Sequence, residues 1–242
     1  MKKTTVVIVA EVIILCILII CFIFGKVPDN KESVKTSEAN LNISDMKGTI
    51  PRVALTFDDG PSTKYTEKLL KGLKKRGVKA TFFLTGERIS YSEKIVKRMK
   101  KDGHVIGNHT YTHIDLAKTG YNEAKKEIED TNNAIKEITG EKPKFLRPPY
   151  GDWNEKLLEE TDMSIVLWSV DPEDWKDRNA DVVAKRVIKS TRPGDIILLH
   201  DIFGTSVDAA LKIVDELQSK GYHFVTVDQI EDSNLIKKHV VE

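Results

Sequence analysis

The sequence predicts an α/β domain, a distorted (β/α) barrel of about seven parallel strands, preceded by one transmembrane helix. Three observations point there. From Pro51 onward, strand-like and helix-like stretches alternate. Residues able to do chemistry fall at the carboxyl ends of the strand-like stretches. One long apolar run, Val6 to Phe24, lies ahead of everything else. The alternation by itself also suits an open doubly wound sheet. In a barrel of this kind, the groups that act on a ligand sit at the carboxyl ends of the strands.

The elements follow in order. Arg52–Phe57 (RVALTF) reads as a buried strand. Residues 63–76 carry Leu69, Leu70 and Leu73 at helical spacing and stop before Gly77. Ala80–Leu84 is a short apolar strand, Ser92–Lys101 a helix ending before Gly103, and His104–Gly107 a short strand. Tyr121–Thr139 is an amphipathic helix, with Ala124, Ile128, Ala134, Ile135 and Ile138 on one side and Gly140 closing it. Then come a strand at Phe145-Leu146, a helix at Glu155–Glu160, a strand at Ser164–Ser169 and a helix at Asp181–Ser190. Asp195–Leu199 (DIILL), a helix over Val207–Lys220 and a last strand at His223–Val227 complete the alternation.

The run from Val6 to Phe24 has 19 residues with one charge, Glu11. At 1.5 Å per residue it spans about 28 Å, against a hydrocarbon core of about 30 Å. Lys2 and Lys3 precede it, which predicts a cytoplasmic N-terminus (1–5), an anchor over 6–25 and an exported remainder. No small-residue cleavage pattern follows the run, so the anchor is expected to stay. Residues 26–50 are polar and read as a linker to a single domain over 51–242.

Both cysteines, Cys16 and Cys21, lie inside the expected anchor. The exported part therefore has no disulfide and no thiolate ligand, and any metal there must be held by His and carboxylate. Residues 51–242 hold 32 Lys+Arg and 32 Asp+Glu. That balance argues against nucleic acid as a partner and suits a neutral polymer or small molecule. A monomer is the working assumption.

Five stretches are able to carry chemistry. In Thr56-Phe57-Asp58-Asp59-Gly60-Pro61-Ser62, two adjacent carboxylates end a strand and point different ways because of the pleat. Asp-Gly-Pro is also ordinary turn chemistry. In His109-Thr110-Tyr111-Thr112-His113 the two imidazoles are four residues apart, which on a helix puts both on one face; two unrelated histidines are the alternative. With Asp59 they make a two-His, one-carboxylate set that leaves positions open for water and substrate. Arg147-Pro148-Pro149-Tyr150-Gly151 presents an Arg on a backbone fixed by proline, able to hold a carboxylate ionised, or else simply a loop with a surface Arg. Asp171-Pro172-Glu173-Asp174-Trp175 and Leu198-Leu199-His200-Asp201 offer a His with a carboxylate partner, and in Trp175 either a pocket wall or plain core packing.

TFDDGPS, HTYTH, RPPYG, DPEDW and LLHD, in this order, resemble the polysaccharide deacetylases, the NodB-homology domain of carbohydrate esterase family 4. The likeness covers about residues 51–231, and within the family the chain is most similar to the peptidoglycan N-acetylglucosamine deacetylases of bacterial cell walls. The resemblance implies roles for individual residues. Asp58 would be the general base, and Asp59, His109 and His113 would bind a divalent metal, usually zinc. Arg147 would orient Asp58, the backbone N–H of Tyr150 would help bind the oxyanion, and Asp174 would hold His200, the general acid. Trp175 and Leu198 would line the pocket for the acetyl methyl. Pro172 stands where a small polar residue is common in the family.

The expectation is a membrane-anchored hydrolase, its catalytic domain outside the cell, that removes N-acetyl groups from peptidoglycan. Chitin oligosaccharide, poly-N-acetylglucosamine and O-acetylated xylan are other substrates for the same chemistry. A non-catalytic, membrane-tethered wall-binding protein is the reading from a different class.

Overall fold

A computed structural model describes residues 50–230 and 234–237. The expected anchor and all of the linker except Ile50 lie outside the described residues. Among the described residues no helix is long and apolar enough to cross a membrane.

The chain runs β1 (Arg52–Gly60), α1 (Thr66–Lys75), β2 (Thr81–Leu84), α2 (Gly86–Ile89), α3 (Glu93–Lys101), β3 (Val105–Asn108), α4 (Tyr121–Thr139), β4 (Phe145–Leu146), α5 (Glu155–Glu159) and β5 (Ser164–Val166). It continues through α6 (Asp174–Asp177), α7 (Ala180–Ser190), β6 (Ile196–His200), α8 (Gly204–Ser219), β7 (His223–Val225) and β8 (Ile236–Lys237). The strands form one curled sheet in the order β6-β1-β2-β3-β4-β5-β8, with β7 also paired to β1. Every pairing is parallel except β5 with β8. Past β5 the chain swings alongside β6 through a parallel bridge, Val170 to Ile197, which brings the curl toward closure. The architecture is thus a curled, mostly parallel half-barrel wrapped by helices.

β1 is buried from Val53 to Asp58, as a central parallel strand must be when both of its faces are covered. Its two faces do different work. Val53, Leu55 and Phe57 pack outward against the Leu69, Leu70 and Leu73 stripe of α1. Each such buried leucine contributes about 1.5–3 kcal/mol. Ala54 faces the barrel interior with Phe83, Val166, Ile196 and Val227. By the strand period of two, Thr56 and Asp58 share that inner face, and the register Thr56–Leu198 and Asp58–His200 puts Leu198 and His200 on it as well. The barrel end of the site is therefore fixed by strand register.

Several expectations about local structure change. The 109–113 stretch is not helical: it is a loop after β3 in which Thr110 (φ 61°) and His113 (φ 64°) are left-handed. The strand expected over 164–169 stops at Val166, because the carbonyls of Val166 and Leu167 turn to accept from Arg147. Trp175 is 47% exposed on the short helix α6, so it is not core packing. The α4 helix keeps its expected bounds, closed by Gly140 at φ 85°, a conformation that favours a residue without Cβ.

Candidate active site

Arg147 is fully buried and stands at the base of the site. Its Nε donates to Val166 O at 3.1 Å and its Nη2 to Leu167 O at 3.1 Å. Its Nη1 donates to Thr56 Oγ1 at 2.7 Å and to Asp58 Oδ1 at 2.9 Å. The guanidinium lies 4.2 Å from the Phe83 ring centroid, inside the barrel. A surface-loop Arg is thereby excluded: this cation is a strut whose donors are spent on fixing β1 to β5 and holding the Asp58 carboxylate.

Asp59 breaks the pleat. Its φ of 67° turns the chain over at the end of β1, so its carboxylate diverges from that of Asp58. The turn continues into α1, where Ser62 Oγ accepts the N–H groups of Lys64 and Tyr65. A second clamp comes from β6. Thr66 Oγ1 accepts the Ser62 N–H at 2.7 Å and itself donates to the Asp201 carboxylate. A Cβ at Gly60 would stand 2.2 Å from Asp201 Oδ1, so only glycine lets the turn lie this close. Burial raises the Asp201 carboxyl to about 7.

Asp59 Oδ1 faces two imidazoles, at 3.4 Å from His109 Nε2 and 3.3 Å from His113 Nε2. His109 Nδ1 lies 2.6 Å from the Arg147 carbonyl. A carbonyl only accepts, so Nδ1 carries the proton and Nε2 keeps its lone pair toward Asp59. The ligand atoms of Asp59, His109 and His113 all lie within 4.8 Å of one another. Asp59 Oδ1 is buried without a hydrogen-bond partner among the described residues. A buried anionic oxygen beside two nitrogen lone pairs is the donor set a divalent cation takes, so these residues fit a metal. The Asp59 carboxyl sits at about 2: burial pushes it up, and the charge that His109, His200 and His113 carry when protonated outweighs that. At His109, burial lowers the imidazole and the two carboxylates raise it further than burial lowers it.

The loop that carries the histidines is held from α4. Asn108 donates to Ile128 O at 2.9 Å and to Asn132 Oδ1 at 2.8 Å, while its own Oδ1 accepts the Thr110 N–H at 2.7 Å. Glu127 Oε2 accepts the N–H groups of Tyr111 (2.8 Å) and Thr112 (2.7 Å), and its Oε1 accepts the Thr112 hydroxyl at 2.9 Å. Neither Asn108 nor Glu127 stands out in the sequence, because nothing local announces a side chain that caps a loop from a distant helix.

On the far side, Asp174 is fully buried and grips His200 twice, at Nδ1 (2.7 Å) and at the backbone N–H (2.9 Å). Nδ1–H points to the carboxylate, which leaves Nε2 for the site. Burial lowers the His200 pKa, but the Asp174 hydrogen bond and charge, with Asp58 and Asp59, lift it to about 9. Tyr150 occupies a left-handed position (φ 64°) in the 3-10 turn Pro149–Gly151, its exposed ring 5.1 Å from that of His113. A cleft lined by His113, Asp115, Lys118, Tyr150 and Asp152 opens beside it. Leu198 is buried on the inner face of β6, one step below His200.

Carboxylates, imidazoles and one buried guanidinium thus converge at the carboxyl ends of a curled parallel sheet, which defines the class as an α/β enzyme. A family model for polysaccharide deacetylases matches residues 45–164. The chain is 45% identical over 180 residues to the peptidoglycan-N-acetylmuramic acid deacetylase PdaC of Bacillus subtilis, covering 74% of this chain and 38% of that protein. It is 45% identical over 193 residues to a peptidoglycan-N-acetylglucosamine deacetylase of Bacillus cereus, covering 77% of this chain and 70% of that one. The solved structure of the Bacillus subtilis PdaC aligns with a TM-score of 0.74 at 44% identity, over 76% of this chain and 91% of that chain. The chain belongs to the polysaccharide deacetylase family, although it spans only 38% of the length of PdaC.

Proposed function

We propose that this protein hydrolyses N-acetyl groups on the glycan strands of peptidoglycan, with N-acetylglucosamine as the reacting unit. One observation carries the chemistry: two buried carboxylate pairs, Asp58 with Arg147 and Asp174 with His200, flank the Asp59–His109–His113 trio. The relatives support a cell-wall polymer as substrate.

Asp59, His109 and His113 would hold a divalent cation, most simply Zn²⁺. When bound, it supplies Lewis acidity toward the acetamide carbonyl and the attacking water. Asp58, oriented by Arg147, accepts the proton of that water on the oxygen not engaged by the guanidinium. The Tyr150 backbone N–H donates to the oxyanion as the carbonyl becomes tetrahedral. His200, protonated through neutral pH because Asp174 holds Nδ1, delivers its Nε2 proton to the departing sugar amine. Trp175 and Leu198 wall the acetyl methyl. The products are acetate and a glucosamine unit. The apolar segment 6–25 anchors the domain to the outer face of the cell membrane, close to the polymer.

N-acetylmuramic acid is a second reading of the reacting unit, favoured by the relative whose name specifies it. Acetate release from purified peptidoglycan, with and without chelator and after Zn²⁺ is restored, tests the function. Expected are chelator-sensitive release and full recovery. No release from any N-acetylated glycan overturns the reading. Mass spectrometry of the digested product tells which sugar lost its acetyl group.

A further inference from the structure

α6 begins at Asp174, the partner of His200, and its C-cap Arg178 meets Phe203 at the start of α8; every acid of α6 and its N-cap is already engaged. Asp174 holds His200. Glu173 pairs with Lys176 at 3.3 Å, and Asp177 pairs with Arg186 at 2.6 Å. Arg178 is different. Among the described residues it has no carboxylate within ion-pairing distance, yet it is not a loose side chain.

Three contacts fix it. Its backbone is left-handed (φ 48°) and its N–H closes α6 on Asp174 O at 3.4 Å. Its Nε donates to Trp175 O at 2.7 Å. Its guanidinium carbon lies 3.5 Å from the centroid of the Phe203 ring, three residues after His200. Nε and the face of the fork are used, and the two terminal nitrogens remain. A guanidinium held this way has already lost the rotamer freedom that an exposed Arg gives up on binding, so an ion pair with a ligand costs it little entropy. Phe203 is also the N-cap of α8, whose first turn carries no acidic residue, so the helix dipole adds to the positive potential there. The other side of the site has the opposite character: in the cleft beside Tyr150, Lys118 is already paired with Asp115 at 2.6 Å, and Asp152 is left over.

Resting on the peptidoglycan reading above, we propose that Arg178 is a carboxylate-recognition residue. It would pair with an acidic group on the sugar next to the reacting one and so select peptidoglycan over neutral N-acetylglucosamine polymers. With 32 positive and 32 negative residues over 51–242, the domain has no net field of its own to attract an acidic strand. A planar fork with two free donors matches a carboxylate bidentately. In peptidoglycan that carboxylate belongs to the lactyl ether of muramic acid or to its stem peptide.

The test compares the detergent-solubilised full chain with Arg178→Gln and Arg178→Lys on five glycans: a neutral N-acetylglucosamine oligomer, peptide-free glycan strands, peptide-bearing strands, and the methyl ester of each kind of strand. Arg178→Gln is expected to raise KM about tenfold on a carboxylate-bearing strand, with kcat nearly constant and KM for the neutral oligomer within about twofold. Esterification should give the wild-type protein the KM of the variant, and Arg178→Lys should recover part of the loss. Whichever charged strand shows the effect identifies lactyl or stem-peptide carboxylate. An equal loss on charged and neutral glycans, or no effect of esterification, overturns the proposal and leaves Arg178 as a support for Trp175. Turnover of the neutral oligomer but of no peptidoglycan strand overturns the peptidoglycan reading, and this proposal with it. Calorimetric titration of strands into Asp58→Asn, with and without Arg178→Gln, decides the point for Arg178 independently of turnover.

Discussion

The inner wall and the rim of the site are built by different physics. The inner wall comprises Asp58, Arg147, Asp174 and His200. All but His200 are buried, and Asp58 and His200 are set by strand register and tied by charge-assisted hydrogen bonds at 2.7–2.9 Å. The rim comprises Asp59, His113 and Tyr150. Each sits at positive φ, and each takes its direction from a turn of the backbone rather than from a pleat. The wall holds charges whose protonation states matter, and it does so by excluding water. The rim holds groups that must face a ligand, and it is clamped from behind by Glu127, Thr66 and Asp201. One half is rigid because it is buried; the other is rigid only as far as its clamps allow.

Breaking the wall should have the largest effect. Arg147→Ala leaves Asp58 charged and unpaired in the interior, and a loss of about 3–5 kcal/mol in chemical denaturation is expected. An unfolding midpoint close to that of the wild type would show that the wall is not held this way. Asp58→Asn is sharper, because it keeps the shape and removes the base. Acetate release is expected to fall by roughly 10²–10⁴, with Zn²⁺ binding by equilibrium dialysis nearly intact. Wild-type turnover by this variant would remove Asp58 from the mechanism.

The rim should yield more gently. Glu127→Ala frees the 109–113 loop without touching a ligand, and metal affinity should drop by about 10–100-fold while the unfolding midpoint moves little. Unchanged affinity would mean that the loop needs no clamp. The smallest effect is one of pH. Because the His200 pKa is raised from 6.5 to about 9, the protonated acid persists through neutral pH, and the alkaline limb of the rate profile should fall near 9. The stability this pair contributes is complete below about 6.5 and is lost as pH rises through about 9. Asp174→Asn should bring both limbs to lower pH, and a limb that stays put would separate His200 from Asp174.

The same contrast explains what was legible beforehand. Alternation marked the strands because a parallel sheet covered on both faces must be a run of apolar residues, and β1 is one. The α4 helix could be read to the residue because its apolar stripe and Gly140 cap are local signals. The two histidines are legible as residues but not in their conformation: four-residue spacing suggests a helix, whereas Thr110 and His113 close the distance by left-handed turns that their residue types do not announce. Strand β8 leaves no mark in the sequence because two residues at an antiparallel edge carry no periodicity.

The sequence by itself determined the α/β class, the order of elements, the residue types available to the site and, through five ordered motifs, the family. Those properties are written in local spacing and composition. Only the tertiary structure decided that Arg147 is an interior strut rather than a surface charge, that Glu127 and Asp201 clamp the ligand loops, and that Arg178 lies over Phe203 with no carboxylate partner among the described residues. Each of these depends on which distant side chain arrives within about 3 Å, and hydrogen bonds and ion pairs of that range are set by the packing of the whole sheet.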